Sequence, residues 1–105
     1  MKEATTAKRI RAHIKKAYGG WWVKIHGGAF QAAGIPDLIG ITRGKNQRRF
    51  AIFFALEVKL PGQEHTLTRL QSYTIHKINE AGGVAAMVTS TADADRVIRE
   101  ALTLV

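Results

Sequence analysis

The stretch FAIFFALEVKL, residues 50–60, constrains the fold of this chain more than any other. Phe50 to Leu56 is apolar without a break, far too short to span a bilayer as a helix. A short run of this kind, rich in aromatic residues, predicts a central strand from Phe50 to Lys59, covered on both faces.

The flanking segments supply the layers such a strand needs. Ala7, Ile10, Ile14, Ala17 and Tyr18 recur every three or four residues, which predicts an amphipathic helix over 3–18, stopped by Gly19-Gly20. Trp21 to His26 reads as a strand followed by a Gly27-Gly28 loop. The Trp21-Trp22 pair is expected in the core rather than on a base-stacking platform. After the turn at Gly34-Ile35-Pro36, a second strand is expected from Asp37 to about Thr42, with Pro36 confined to its start. Arg43 to Arg49 forms a basic hairpin loop. Beyond Pro61-Gly62, a helix runs from about Thr66 or Thr68 to Ala81, with Leu67, Leu70, Thr74, Ile78 and Ala81 inward and Gly82-Gly83 as its stop. Val84 to Thr89 is a short buried strand. Thr91 is expected to cap a last helix, with Asp93 and Asp95 in its first turn and Ala94, Val97, Ile98 and Ala101 inward. The expectation is one α/β domain over residues 1–105, in the order α-β-β-β-α-β-α around a central mixed sheet.

Charge narrows the partner. Sixteen Lys and Arg against 8 Asp and Glu leave a formal +8, which favours a polyanion, and nucleic acid before an anionic membrane. No long basic amphipathic helix or anchoring segment points to a membrane. The absence of cysteine excludes disulfides, thiolate zinc sites and thiol nucleophiles, and His13, His26, His65 and His76 lack zinc-ligand spacing. The first residues lack the apolar core of a secretory signal, so a cytoplasmic location is expected.

Leu56-Glu57-Val58-Lys59-Leu60 puts two full charges into a segment built for burial. Side chains alternate along a strand, so Glu57 and Lys59 share one face while Leu56, Val58 and Leu60 share the other. A buried, unpaired ion costs several kcal/mol, so these groups need partners or a ligand. Asp37, at the mouth of the neighbouring strand, offers a second carboxylate on that face. Two carboxylates and a lysine suit a hard divalent cation that activates water against a phosphodiester. The competing reading is a salt-bridge cluster in an ordinary α/β domain.

Gly34-Ile35-Pro36-Asp37-Leu38-Ile39-Gly40, then Leu56-Glu57-Val58-Lys59, then Gly62 and Gln71, resembles the virus-type replication-repair nuclease (VRR-NUC) family of the PD-(D/E)xK superfamily. That superfamily includes restriction endonucleases and Holliday-junction resolvases. The resemblance covers essentially the whole chain, with Pro36-Asp37 and Glu57-Val58-Lys59 matching the PD and ExK elements. It implies a restriction-endonuclease-like core and a DNA endonuclease dependent on Mg²⁺ or Mn²⁺, acting on four-way or branched DNA as a homodimer. Asp37, Glu57 and the main-chain carbonyl of Val58 would hold the metal, and Lys59 would position the attacking water. Related enzymes add an acid from the first helix, which Glu3 would supply from the stripe of Ala7, Ile10 and Ile14; the alternative is that Glu3 only complements the helix dipole. Gln71 is either a site residue or half of a capping box with Thr68. Lys24, on the strand face of Trp22 and His26, is a candidate phosphate contact or a solvated lysine. Arg43, Lys45, Arg48 and Arg49 of the hairpin, with Lys8, Arg11 and Lys15 of the first helix, are the candidates for backbone contact. A non-catalytic nucleic-acid-binding module on a degenerate nuclease fold is the rival.

Overall fold

The apolar periods of the sequence resolve into three helices and a four-stranded mixed sheet in a computed structural model that describes residues 2–26, 33–45 and 50–104. The elements are α1 (Glu3–Tyr18), β1 (Trp21–Lys24), β2 (Leu38–Thr42), β3 (Ile52–Val58), α2 (Arg69–Glu80), β4 (Val84–Val88) and α3 (Thr91–Leu102), with a single 3₁₀ turn at Glu64–Thr66. The sheet order is β1-β2-β3-β4. β1 pairs antiparallel with β2, as β2 does with β3, whereas β3 and β4 run parallel. A parallel neighbour needs a crossover, and α2 provides it.

The core lies on one face of the sheet. Trp22, Leu38, Phe54, Leu56, Val58 and Val88 point at Ala7, Ile10 and Ile14 of α1 and at Ala94, Ile98 and Ala101 of α3. Each fully buried Leu or Ile contributes about 1.5–3 kcal/mol, so this layer holds the domain together. Trp22 stacks obliquely on Phe54 at 5.7 Å and donates its indole N–H to the Gly19 carbonyl at 2.8 Å. Gly40 opposes Trp22 in the register, and a Cβ there would run into the indole ring. The glycine is required by its neighbour's bulk.

The other face is thinner than the sequence suggests. α2 buries no residue, and Leu70, expected inward, is 46% exposed, while Ala81 is exposed as well. Besides the half-buried Ile75 and Ile78, polar bonds fasten α2: Asn79 donates to the Ala85 carbonyl at 3.0 Å and accepts from the Ala85 N–H at 2.8 Å, tying the helix to β4. β3 starts at Ile52 rather than Phe50, and Phe53 remains 41% exposed, so only its second half is covered on both faces. The tryptophan pair divides, Trp22 buried and Trp21 60% exposed, because successive strand residues face opposite ways. Ser90, not Thr91, caps α3, its hydroxyl accepting from the Asp93 N–H at 3.1 Å.

Candidate functional site

The strand geometry brings the charged residues of two distant segments together. Leu38 pairs with Leu56, so continuing the antiparallel register by one residue sets Asp37 opposite Glu57, on the face away from the core. Asp37 is oriented by the backbone, its Oδ2 accepting from the Val58 N–H at 2.8 Å. Glu57 is 2% exposed and Lys59 7%. Burial first, then a hydrogen bond with the Asp37 carboxyl and the charge on Asp37, hold the Glu57 carboxyl well above the usual glutamate range. Lys59 opposes that shift and Glu3 adds to it. Two carboxyls in contact in a site of low polarity cannot both ionise easily, so one keeps its proton.

Lys59 lies just past the end of β3, where its N–H donates to the Val88 carbonyl at 3.0 Å. Among the described residues its ammonium makes neither a hydrogen bond nor an ion pair. The Lys59 stem is buried while its ammonium reaches the surface of the site, and its charge acts on the Glu57 carboxyl without an ion pair being formed.

Among the described residues no three His, Cys, Asp or Glu side chains gather to hold an ion. Mg²⁺ does not need such a cage, since it is commonly held by one or two carboxylates and keeps several waters. In an extended strand the N–H and C=O of one residue leave on the same edge, so the Val58 carbonyl opens toward Asp37 as its N–H does. Two carboxylates and one carbonyl are hard oxygen donors of the right kind. A bound cation would offset the repulsion between the two carboxyls that raises the Glu57 pKa.

The remaining candidates fall less evenly. Glu3 is exposed, not inward, and reaches the site only through its charge on Glu57. Gln71 completes the capping box: its Oε1 accepts from the Thr68 N–H at 2.9 Å while its own N–H donates to Thr68 Oγ1 at 3.1 Å. Among the described residues no hydrogen bond connects Gln71 to Asp37, Glu57 or Lys59. Lys24 pairs with Leu38, which sets it on the core-side face rather than the face of Glu57. Arg11 is tied down, its Nε donating to the Trp22 carbonyl at 3.1 Å. Lys8 and Lys15 are exposed on α1. Arg43 and Lys45 follow the far end of β2 from Asp37, and Arg48 and Arg49 lie outside the described residues.

One network has no counterpart in the sequence reading. Asp95 of α3 accepts from the Tyr18 hydroxyl at 2.9 Å and bonds His13 Nε2 at 2.9 Å, joining the two core-side helices. Burial, followed by this bond to Asp95, pushes the Tyr18 phenol up to about 12. The partners are far apart in sequence, and no local spacing announces them.

Neither the protein-family models nor the curated proteins with which the chain was compared provide a match.

Proposed function

We propose that this chain is a metal-dependent endonuclease that hydrolyses phosphodiester bonds in DNA, of the VRR-NUC kind within the PD-(D/E)xK superfamily. The observation that carries the reading is the pairing of Asp37 with Glu57 at the open end of β2 and β3, beside Lys59, whose charge acts on Glu57 without forming an ion pair. The elements PD and ExK, each ambiguous alone, converge on one spot in a chain of net charge +8.

Asp37, Glu57 and the Val58 carbonyl would hold Mg²⁺ or Mn²⁺, which when bound lowers the pKa of water and polarises a phosphoryl oxygen. Asp37 stays aimed at that spot because the Val58 N–H anchors one of its oxygens. Lys59 presents three N–H donors and a full charge at the site, where it orients the attacking water and stabilises charge gathering on the phosphate. Glu3 contributes negative potential from the end of α1. The surface charge would bind the DNA backbone and leave selection to the shape of the substrate, so branched or four-way DNA is the proposed target. Symmetric cutting of a junction needs two sites, and a homodimer is part of the proposal; sedimentation showing monomer alone would remove that part.

The test is cleavage of branched and linear DNA in Mg²⁺, Mn²⁺ or EDTA. Expected is cutting with either metal and none in EDTA, with Lys59→Ala and Glu57→Gln each slower by about 100-fold or more. Tight binding without cleavage in either metal would overturn the enzyme in favour of a non-catalytic binding module.

A further inference from the structure

At the opposite end of β2 from Asp37, a cleft of about 540 Å³ opens between the last turns of α1 and α3 and the turn that follows β2. Arg43, Lys45 and Arg99 line it, with Tyr18 and Leu102 as its apolar wall. These cations come from two segments more than fifty residues apart, brought together by specific packing. Buried Thr42 donates its hydroxyl to the Tyr18 carbonyl at 3.1 Å and accepts from the Gly44 N–H at 3.0 Å, binding the turn to the end of α1. Gly44, at φ 68°, lies so close against Leu102 that a Cβ would meet Leu102 Cδ1 at 2.9 Å. Arg43 and Lys45 therefore flank a glycine that donates to Thr42 on one side and packs against Leu102 on the other.

The chain has 8 carboxylate side chains, all among the described residues, and not one forms an ion pair with Arg43, Lys45 or Arg99, although the charge of Arg99 is felt by Asp95 one turn away. Asp95, the acid that Arg99 does influence, is hydrogen-bonded to His13 and Tyr18, which leaves Arg43 and Lys45 as the cations without an acidic partner among the described residues. Arg99 does answer the carbonyls at the end of α3, as basic residues in a last turn do. That role accounts for neither Arg43 nor Lys45, which belong to a turn.

We infer that this cleft is a second phosphate-binding site, which holds a backbone phosphate of the bound nucleic acid at the end of the sheet remote from Asp37, Glu57 and Lys59. Six residues of extended chain separate Asp37 from Arg43, roughly 20 Å at about 3.3 Å per residue. The two ends thus grip one polyanion at two places, and the distal grip fixes its direction across the sheet. This rests on the nucleic-acid reading above but not on catalysis.

Binding is measured on the full chain in EDTA by anisotropy of a labelled DNA duplex over a salt series. The triple variant Arg43→Ala, Lys45→Ala, Arg99→Ala is compared with Arg69→Ala, Lys77→Ala, Arg96→Ala, which removes the same charge from exposed positions elsewhere. The cleft variant is expected to lose 10-fold or more in affinity, with the slope of log K against log salt shallower by about 2–3. The control should change by less than threefold. Equal losses in the two variants would overturn the site. In a second arm, inorganic phosphate is titrated at constant ionic strength while the amide resonances of Gly44 and Thr103 are followed. Saturable shifts there, together with the weaker DNA binding, support the assignment. Saturable shifts with DNA binding unaffected by the cleft variant would mean a free phosphorylated ligand and overturn the backbone assignment. Because no metal is present, loss of the nuclease reading and loss of this site give separate results.

Discussion

At the scale of single residues, the proposed function and stability pull in opposite directions. Glu57 is buried against another carboxyl, a placement that costs stability unless a cation is bound. Glu57→Gln keeps the shape and removes the charge conflict, so in EDTA its thermal midpoint is expected to lie at or above the parent's. A clear fall, by several degrees, would mean that Glu57 serves the fold. Gln71 is the opposite case. Its side-chain oxygen closes the capping box on Thr68, so Gln71→Ala is expected to cost about 0.5–1 kcal/mol and leave DNA cleavage within about threefold of the parent. Cleavage falling 100-fold without a matching loss of stability would return Gln71 to the site. The capping pattern was legible in Thr68-Arg69-Leu70-Gln71; which of two roles the glutamine serves was not, because the pattern is the same for both.

At the scale of elements, what matters is how each strand and helix end is fastened. Gly40 lies under Trp22 in the sheet, and neither the ring nor the flanking strands can retreat from an added methyl. Gly40→Ala is expected to destabilise by about 1–3 kcal/mol, read as a lower denaturant midpoint at unchanged slope. α3 is fastened by its first turn. Asp93 Oδ2 accepts from the Thr89 N–H at 3.0 Å and from the Thr89 hydroxyl at 2.8 Å. Those bonds, backbone first, hold its carboxyl below the usual aspartate range, with Arg96 assisting. A depressed folded-state pKa contributes stability above the ordinary value near 4 and loses it as pH falls toward the folded value. Melting of wild type and Asp93→Asn should therefore differ most near pH 6 and converge below about pH 4. A gap that stays constant down to pH 3 would contradict this assignment. Helix spans and the order of elements along the chain could be read from periodicity, whereas the exposure of Leu70 could not. An apolar stripe marks the side of a helix that prefers burial, and α2 has only a thin, partly open sheet face to lie on.

For the whole molecule, charge and layering set the terms. The net charge of +8 favours association with a polyanion and makes that association steeply salt-dependent. Among the described residues no helix is long and apolar enough to cross a membrane. Across the sheet face opposite the core, Trp21, Ile41 and Phe53 stand in register and are 60%, 45% and 41% exposed. The protein consequently has one well-filled layer, between the sheet and α1 with α3, and one lightly covered layer beneath α2.

Local preferences are written along the chain, because a helix or strand sorts its own side chains by a fixed period whatever it packs against. The sequence alone therefore determined the α/β alternation, the basic balance, and the burial of Glu57 and Lys59 at the end of a central strand. Which distant segments meet depends on register and packing. Only the tertiary structure decided that Asp37 stands opposite Glu57, that Asp95 joins His13 to Tyr18, and that Arg99 shares a cleft with Arg43 and Lys45. Each of those encounters is fixed by contacts between residues far apart in sequence, where no spacing rule applies.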